Sequence, residues 1–391
     1  MCECGHSDHV VVVLKQLARL PRLRKFTLVF HPQCMGPETF EYSGPCKCAG
    51  FQTAPERKRI LKDVFMALKH ARGLTSLEVM NLQNINNKAI LNAAYFKTVM
   101  GRLEELRVCF IVEQNHHGDS QFEYNQHELW NFRDAFTWGW LFPCRKNLRS
   151  LSLHCNEYWG FLPQVDIRYL HFPKLERLDF GSWGIWEEWQ LAWIAGHGKT
   201  LRELYLFNCP IIHACRGYQI LTDPDEERDY PDMVRDRRLT HFKVRWAEGF
   251  ALLREGLGNL TEFRMAMPEL NDAMDETTRG KQRFAICDGE LETQGAGYWK
   301  MRRGFTPELT EFLEVHHERR EGLEAAPLEM YAAVDATMVA RRCCRRQSPD
   351  SLEDTRVGWK MLHVRKKDRA ELDRLLETVK ERRERELWEG K

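Results

Sequence analysis

The chain has no long apolar run. Its longest aliphatic stretch, Val10 to Leu14, stops at Lys15, far short of the ~20 residues that cross a bilayer as a helix. No membrane span is expected, and no membrane partner. The start, Met1-Cys2-Glu3-Cys4, lacks the basic opening and apolar segment of a signal peptide. Charge of one sign is missing too. Fifty-eight basic residues face fifty-seven acidic ones, so no global field draws the molecule to nucleic acid, and none is expected as a partner. A paired-cysteine framework is absent: the count is thirteen, an odd number. Cys109, Cys155, Cys209 and Cys287 sit in apolar segments and read as small buried hydrophobes of a reducing compartment, cytoplasmic or nuclear. Catalytic signatures are lacking as well. There is no G-x-S-x-G, no G-x-G-x-x-G, no H-E-x-x-H and no H-x-E…C-x-x-C. The chain is read as non-enzymatic, with no catalytic residue, cofactor or metal.

What the chain does have is one pattern, L-x-x-L-x-L, written eight times with Phe, Val or Met sometimes replacing Leu. The copies are Leu23-Phe26-Leu28, Leu74-Leu77-Val79, Leu103-Leu106-Val108, Leu148-Leu151-Leu153, Leu175-Leu178-Phe180, Leu201-Leu204-Leu206, Leu239-Phe242-Val244 and Leu260-Phe263-Met265. Apolar residues two apart lie on one face of a strand. Each copy therefore predicts one short strand whose buried face needs neighbouring units to cover it. Successive copies begin 51, 29, 45, 27, 26, 38 and 21 residues apart. The short intervals match a repeat of ~20–29 residues, and the long ones are the same unit carrying an insertion.

Helical patterns fill the intervals. Glu56 to Arg72 places Ile60, Leu61, Val64, Phe65 and Leu68 on one face, with Gly73 as expected C-cap. Asn87 to Met100 ends at Gly101. Gln126 to Phe136 carries Leu129, Phe132 and Phe136 at helical spacing. Ile185 to Ala195 aligns Trp186, Trp189 and Trp193. Strand, loop, helix, strand is an α/β arrangement with parallel strands on a concave side and helices outside. Three insertions read as loops: His31 to Thr53, Glu113 to Gln126 and Thr222 to Asp236. The expected organisation is an N-terminal segment over 1–16, an irregular repeat solenoid over 17–268, a linker over 269–305 and a helical, charged appendage over 306–391. In that appendage Thr306-Pro307-Glu308 reads as a helix start. A second helix is expected from Pro327 to about Arg342, and a third from Lys367 to Trp388 with Leu372, Leu375, Leu376 and Val379 as its apolar stripe.

Strand alternation also predicts which side chains leave the core. With the pattern residues inward, Arg107, His154, Asp179, Tyr205, Phe207, Lys243, Arg245 and Arg264 face the concave side. Solenoids bind partners on this surface, and aromatic and arginine side chains dominate protein contacts. These eight are the candidate partner-binding residues, with Tyr205, Phe207 and Arg245 foremost; a solvated face covered by an insertion or by the C-terminal segment is the alternative. Other constellations carry less. Gly198-Lys199-Thr200 lacks the earlier glycine of a phosphate-binding loop, because Trp193 stands there. Cys2, Cys4, His6 and His9 are spaced more tightly than structural zinc ligands. They are read, like Cys34, Cys46 and Cys48 with His31, as loop residues and free thiols. Arg341 to Arg346 and Arg365-Lys366-Lys367 read as solvated helix faces, since acidic residues follow each.

The eight copies resemble the leucine-rich-repeat family. Their irregular lengths, and the segments Leu201 to Pro210 and Leu148 to Asn156, look like the divergent repeats of fungal F-box proteins. A Cys or Asn follows the last leucine by three in the family pattern, and Cys209 and Asn156 stand there. The resemblance implies that the repeats hold a protein substrate while an F-box docks on the adaptor of a cullin-RING ubiquitin ligase. The F-box itself is not found: Leu20-Pro21 lies within the first repeat. The adaptor is therefore a partner only through a segment upstream. A repeat scaffold unrelated to ubiquitin is the other reading.

Overall fold

The computed structural model describes residues 14, 16, 17, 20, 22–32, 34, 52–112, 132–161, 163–216, 239–266, 295–301, 307–314 and 351–389. Seven parallel strands form one open sheet in the order β1-β2-β3-β4-β5-β6-β9. They are β1 (Lys25–Val29), β2 (Ser76–Gln83), β3 (Glu105–Ile111), β4 (Ser150–Trp159), β5 (Arg177–Trp183), β6 (Glu203–Phe207) and β9 (Glu262–Ala266). Seven of the eight pattern copies supply these strands, and equal pattern positions pair. Leu77 lies opposite Leu106, Leu106 opposite Leu151, Leu151 opposite Leu178, Leu178 opposite Leu204, and Leu204 opposite Phe263. In the six copies after the first that join this sheet the pattern residues are buried, so their burial holds the strands in this register.

The backbone repeats with them. In each joined copy the carbonyl just after the first leucine accepts two N–H groups of the next unit. Arg24 O takes Thr75 N and Ser76 N, Thr75 O takes Glu104 N and Glu105 N, and Glu104 O takes Arg149 N and Ser150 N. Arg149, Glu176 and Arg202 continue the series, the last accepting from Thr261 and Glu262 at 2.9 and 3.0 Å. A second recurring feature lies past the strand centre. Asn81, Ser182 and Asn208 occupy the same pattern position and all have left-handed backbone, with φ of 59, 56 and 54°. Asparagine tolerates that region better than most residues, and at Asn81 the kink coincides with a shift of register, after which Leu82 and Gln83 still pair with Phe110 and Ile111.

The seventh copy departs from expectation. Leu239–His241 forms β8, but in a second sheet ordered β11-β10-β7-β8 with β7 (Ile211–Arg216), β10 (Gly295–Met301) and β11 (Pro307–Glu314). Phe242 lies against Trp186 and Phe161, with ring centroids 5.3 and 6.3 Å away. That aromatic contact takes the side chain which would have filled the sheet core, and β9 pairs directly with β6. The expected helix start at Thr306-Pro307-Glu308 is likewise corrected: Pro307–Glu314 is a strand, antiparallel to β10. A local cap signal is worth about 1 kcal/mol, and pairing along a whole strand outweighs it. The stretch expected as linker also holds β10.

Helices flank the parallel sheet. α1 (Ala54–Leu68) opens with a capping box in which Thr53 N donates to Glu56 Oε2 at 2.9 Å, and it buries Leu61, Val64, Phe65 and Leu68. The expected helix up to Met100 is broken into α2 (Lys88–Leu91) and α3 (Ala94–Met100). α4 (Ala135–Leu141) is wound as a π-helix, whose wide turn sets Phe136, Thr137, Trp140 and Leu141 all inward. α5 (Glu188–Ala195) has its own capping box from Glu187 and Gln190. α6 (Trp246–Gly256) and α7 (Ser351–Glu389) lie side by side at the last strand. Leu372, Leu375 and Val379 of α7 join the main core.

α7 also completes both ends of α6. Ala247 N donates to the buried Asp368 carboxylate at 2.8 Å. At the other end Arg382 donates to Leu257 O and Arg254 O at 2.7 and 2.9 Å. Helix ends leave backbone groups unpaired and favour acids at the start and bases at the finish; α6 has no side-chain N-cap of its own. The tail is thus part of the fold. No helix among the described residues is long and apolar enough to cross a membrane. The expected loops over Glu113 to Gln126 and Thr222 to Asp236, the first zinc set, Cys46, Cys48, Cys287 and the helix from Pro327 lie outside the described residues.

Candidate functional site: the outward face of the parallel sheet

The pattern residues point into the core, so the third, fifth and seventh positions of each copy form three ladders on the other face. The first runs Lys25, Ser76, Glu105, Ser150, Arg177, Glu203 and Glu262. The second runs Thr27, Glu78, Arg107, Ser152, Asp179, Tyr205 and Arg264. The third runs Val29, Met80, Cys109, His154, Gly181, Phe207 and Ala266.

Exposure falls steeply across this face. His154 and Asp179 have none, and Tyr205 and Phe207 retain 5% each. Cys109, Tyr205, Phe207 and Ala266 form an apolar cluster separate from the main core, with Met80 at its margin. Beside it Asp179 Oδ2 accepts a hydrogen bond from Ser152 Oγ and lies 3.0 Å from His154 Nε2. Ser, His and Asp together invite a catalytic reading, but the connectivity opposes it. An activated serine gives its proton to the imidazole; here the hydroxyl donates to the carboxylate. The arrangement braces β4 against β5. Gly181 makes it possible, because a Cβ there would lie 2.0 Å from His154 Nδ1. Gly181→Ala is expected to lower stability by about 2–3 kcal/mol, as overpacking of a filled site does. Urea unfolding of the variant checks this, with Ser150→Ala on the half-buried ladder as a near-neutral reference.

The accessible parts are the β1 edge, where Thr27 and Val29 are exposed, and the rim where the strands begin, which is lined with charge. Lys25 meets Glu78 at 3.3 Å, Arg177 meets Glu203 at 3.5 Å, and Arg149 pairs with Glu176. At the last strand Arg264 Nε donates to Glu262 at 2.7 Å, and Arg383 of α7 lies 3.3 Å from the same carboxylate. Arg177 and Arg264 both stand over the Tyr205 ring, 5.0 and 5.9 Å from its centroid. Burial, then the neighbouring Glu203, holds the Tyr205 phenol well above its ordinary pKa, and its hydroxyl donates to Glu203 at 3.0 Å. An open cleft of about 360 Å³ lies here, lined by Glu203, Tyr205, Thr261, Glu262, Arg264 and the α7 residues Arg383, Glu386 and Leu387.

Six of the eight predicted side chains share this face: Arg107, His154, Asp179, Tyr205, Phe207 and Arg264. Arg107 and Arg264 are half-buried, and the other four are buried. Lys243 and Arg245 are corrected, since their copy left the sheet. Lys243 lies exposed between β8 and α6. Arg245 precedes α6 and donates to the carbonyls of Phe242 and Val244 at 2.9 and 2.6 Å. The contribution of Arg383 and Glu386 was missed; they join the rim from over a hundred residues away. Gly198 of the Gly-Lys-Thr triplet has a packing role: a Cβ there would lie 1.8 Å from Gly256 O, where the ends of α5 and α6 touch. Among the described residues no group of three His, Cys, Asp or Glu could hold a metal ion. Comparison with protein-family models, with curated proteins and with solved structures finds no match.

Proposed function

We propose that the chain is a leucine-rich-repeat solenoid that recognises another protein on the rim of its outward sheet face, without chemistry of its own. One observation carries this reading: the two-donor carbonyl recurs six times at one pattern position. Such repetition is how a stack of units adds length and an extended surface rather than a single enclosed pocket. Asn156 and Cys209 add support. Asn156 exchanges two bonds with Val112 of the preceding unit, 2.8 and 3.1 Å long, and the Cys209 thiol donates to Phe180 O at 3.2 Å. A Cys or Asn at that position thus serves to tie one unit to the last.

Contact falls on the rim charges Lys25, Glu78, Arg177, Glu203 and Arg264, since the middle of the face is closed. We place the chain as the substrate-binding part of an F-box-type ubiquitin ligase subunit, in the cytoplasm or nucleus. The thiols of Cys34, Cys109, Cys144, Cys155 and Cys209 are buried and outside any disulfide, which suits a reducing compartment. Affinity purification of the full chain from its own cells, with mass spectrometry of what accompanies it, tests both levels. Recovery of the ligase adaptor and cullin supports the ligase role. Recovery of a partner without them keeps recognition and removes that role. Recovery of nothing beyond a tag-only control overturns both.

A further inference from the structure

The end of α5 carries a histidine whose two ring nitrogens are both used, in opposite senses. His197 Nδ1 lies 2.9 Å from Trp193 O and donates to it. Nε2 receives the backbone N–H of Phe172 at 3.2 Å. A neutral imidazole with its proton on Nδ1 is the one form that does both. His197 is only 2% exposed, and its ring is walled by Trp193 and Phe172, with centroids 4.6 and 6.2 Å away. The titratable side chain facing it is His171, stacked at 4.8 Å. Trp193 reinforces the junction, its indole N–H donating to Leu170 O at 2.7 Å. These bonds join the segment that leads into β5 to the helix that precedes β6, so they staple two successive units.

We propose that His197 is an acid-sensitive latch between the fifth and sixth units, closed while its ring is neutral and opened by protonation. A proton on Nε2 turns the acceptor into a donor and sets it against the Phe172 N–H. Two buried donors then face each other without an acceptor, and the 170–172 segment parts from α5. The latch stands on this geometry and is independent of what the rim binds. The direction of titration agrees. Burial first, and the charge of His171 with it, lowers the pKa of His197 from 6.5 to about 4, against the opposing pull of Trp193 O.

The sign follows. An opened ring binds protons more readily than the closed one. The closed junction keeps its full stability above pH 6.5 and loses it as pH falls toward 4, with no further loss below. Between pH 7.5 and pH 5 the open population should rise about 30-fold.

Hydrogen exchange of the intact chain at these two pH values, corrected for intrinsic rates, tests this. The Phe172 amide and Trp193 indole should lose about 30-fold of their protection, while the Val108 amide in the third unit keeps its own. In His197→Gln the two sites should show no such pH step. Nitrogen NMR of the wild-type ring provides a check that needs no variant, and should find the proton on Nδ1. Unchanged protection at Phe172, an equal loss at Val108, or a proton resident on Nε2 at pH 7.5 would each overturn the latch.

Discussion

Phe180→Ala is expected to cost about 3–5 kcal/mol, the usual range for removing a large aromatic from a filled core. Phe180 has no exposure. Its ring lies 5.0 Å from Trp159, 4.7 Å from Trp183 and 6.1 Å from Trp193. Two of those indoles cannot collapse into the vacancy. The Trp159 N–H is tied to Gly181 O at 2.8 Å and the Trp193 N–H to Leu170 O at 2.7 Å. Phe180 also stands on β5, between β4 and β6, so its loss weakens the packing on both sides. Urea unfolding followed by tryptophan fluorescence measures it. A cost below about 1 kcal/mol would mean that the units do not share one continuous core.

Leu375→Ala in the C-terminal helix is expected to cost about 2–4 kcal/mol, although the residue lies far along the chain from every pattern copy. Leu375 has no exposure, and it sits between Leu372 and Val379 on the α7 stripe that enters the main core. β9 ends the parallel sheet with no further strand beyond it, and an element must cover that edge. Here that element is α7, fastened by Asp368 and Arg382 at the two ends of α6. Leu387→Ala should cost almost nothing, since Leu387 is largely exposed. Equal unfolding midpoints for wild type and Leu375→Ala would show that the tail is an appendage after all.

The strands were legible because burial of one face imposes a period of two, and the leucine pattern carries that period by itself. Copies such as Leu106-Val108 and Leu204-Leu206 pair as their spacing dictates. The seventh copy has equally good spacing and still failed. Spacing cannot say which neighbour claims a side chain, and Phe242 found Trp186 and Phe161. Thr306-Pro307-Glu308 misled for a related reason: a cap signal is local, whereas the partner of Pro307–Glu314 is β10. The apolar stripe of α7 was readable from Leu372, Leu375 and Val379, but its seat was not, because Asp368 and Arg382 act across more than a hundred residues.

The candidate site divides in the same way. Alternation placed Arg107, His154, Asp179, Tyr205, Phe207 and Arg264 on one face of the sheet. It could not grade their exposure, which depends on what else lies over the face. Gly181 offered a signal that went unread: a glycine at the seventh position, where its neighbours carry His154 and Phe207, marks a side chain lying across the strand.

Site-specific photo-crosslinking in cells tests recognition on the rim most directly. A crosslinking amino acid takes the place of Arg177 on the rim in one variant, and of Met66, exposed on α1, in another. The account predicts that position 177 captures a discrete protein partner and position 66 does not. Capture of the partner from position 66 alone, or equally from both, would contradict it.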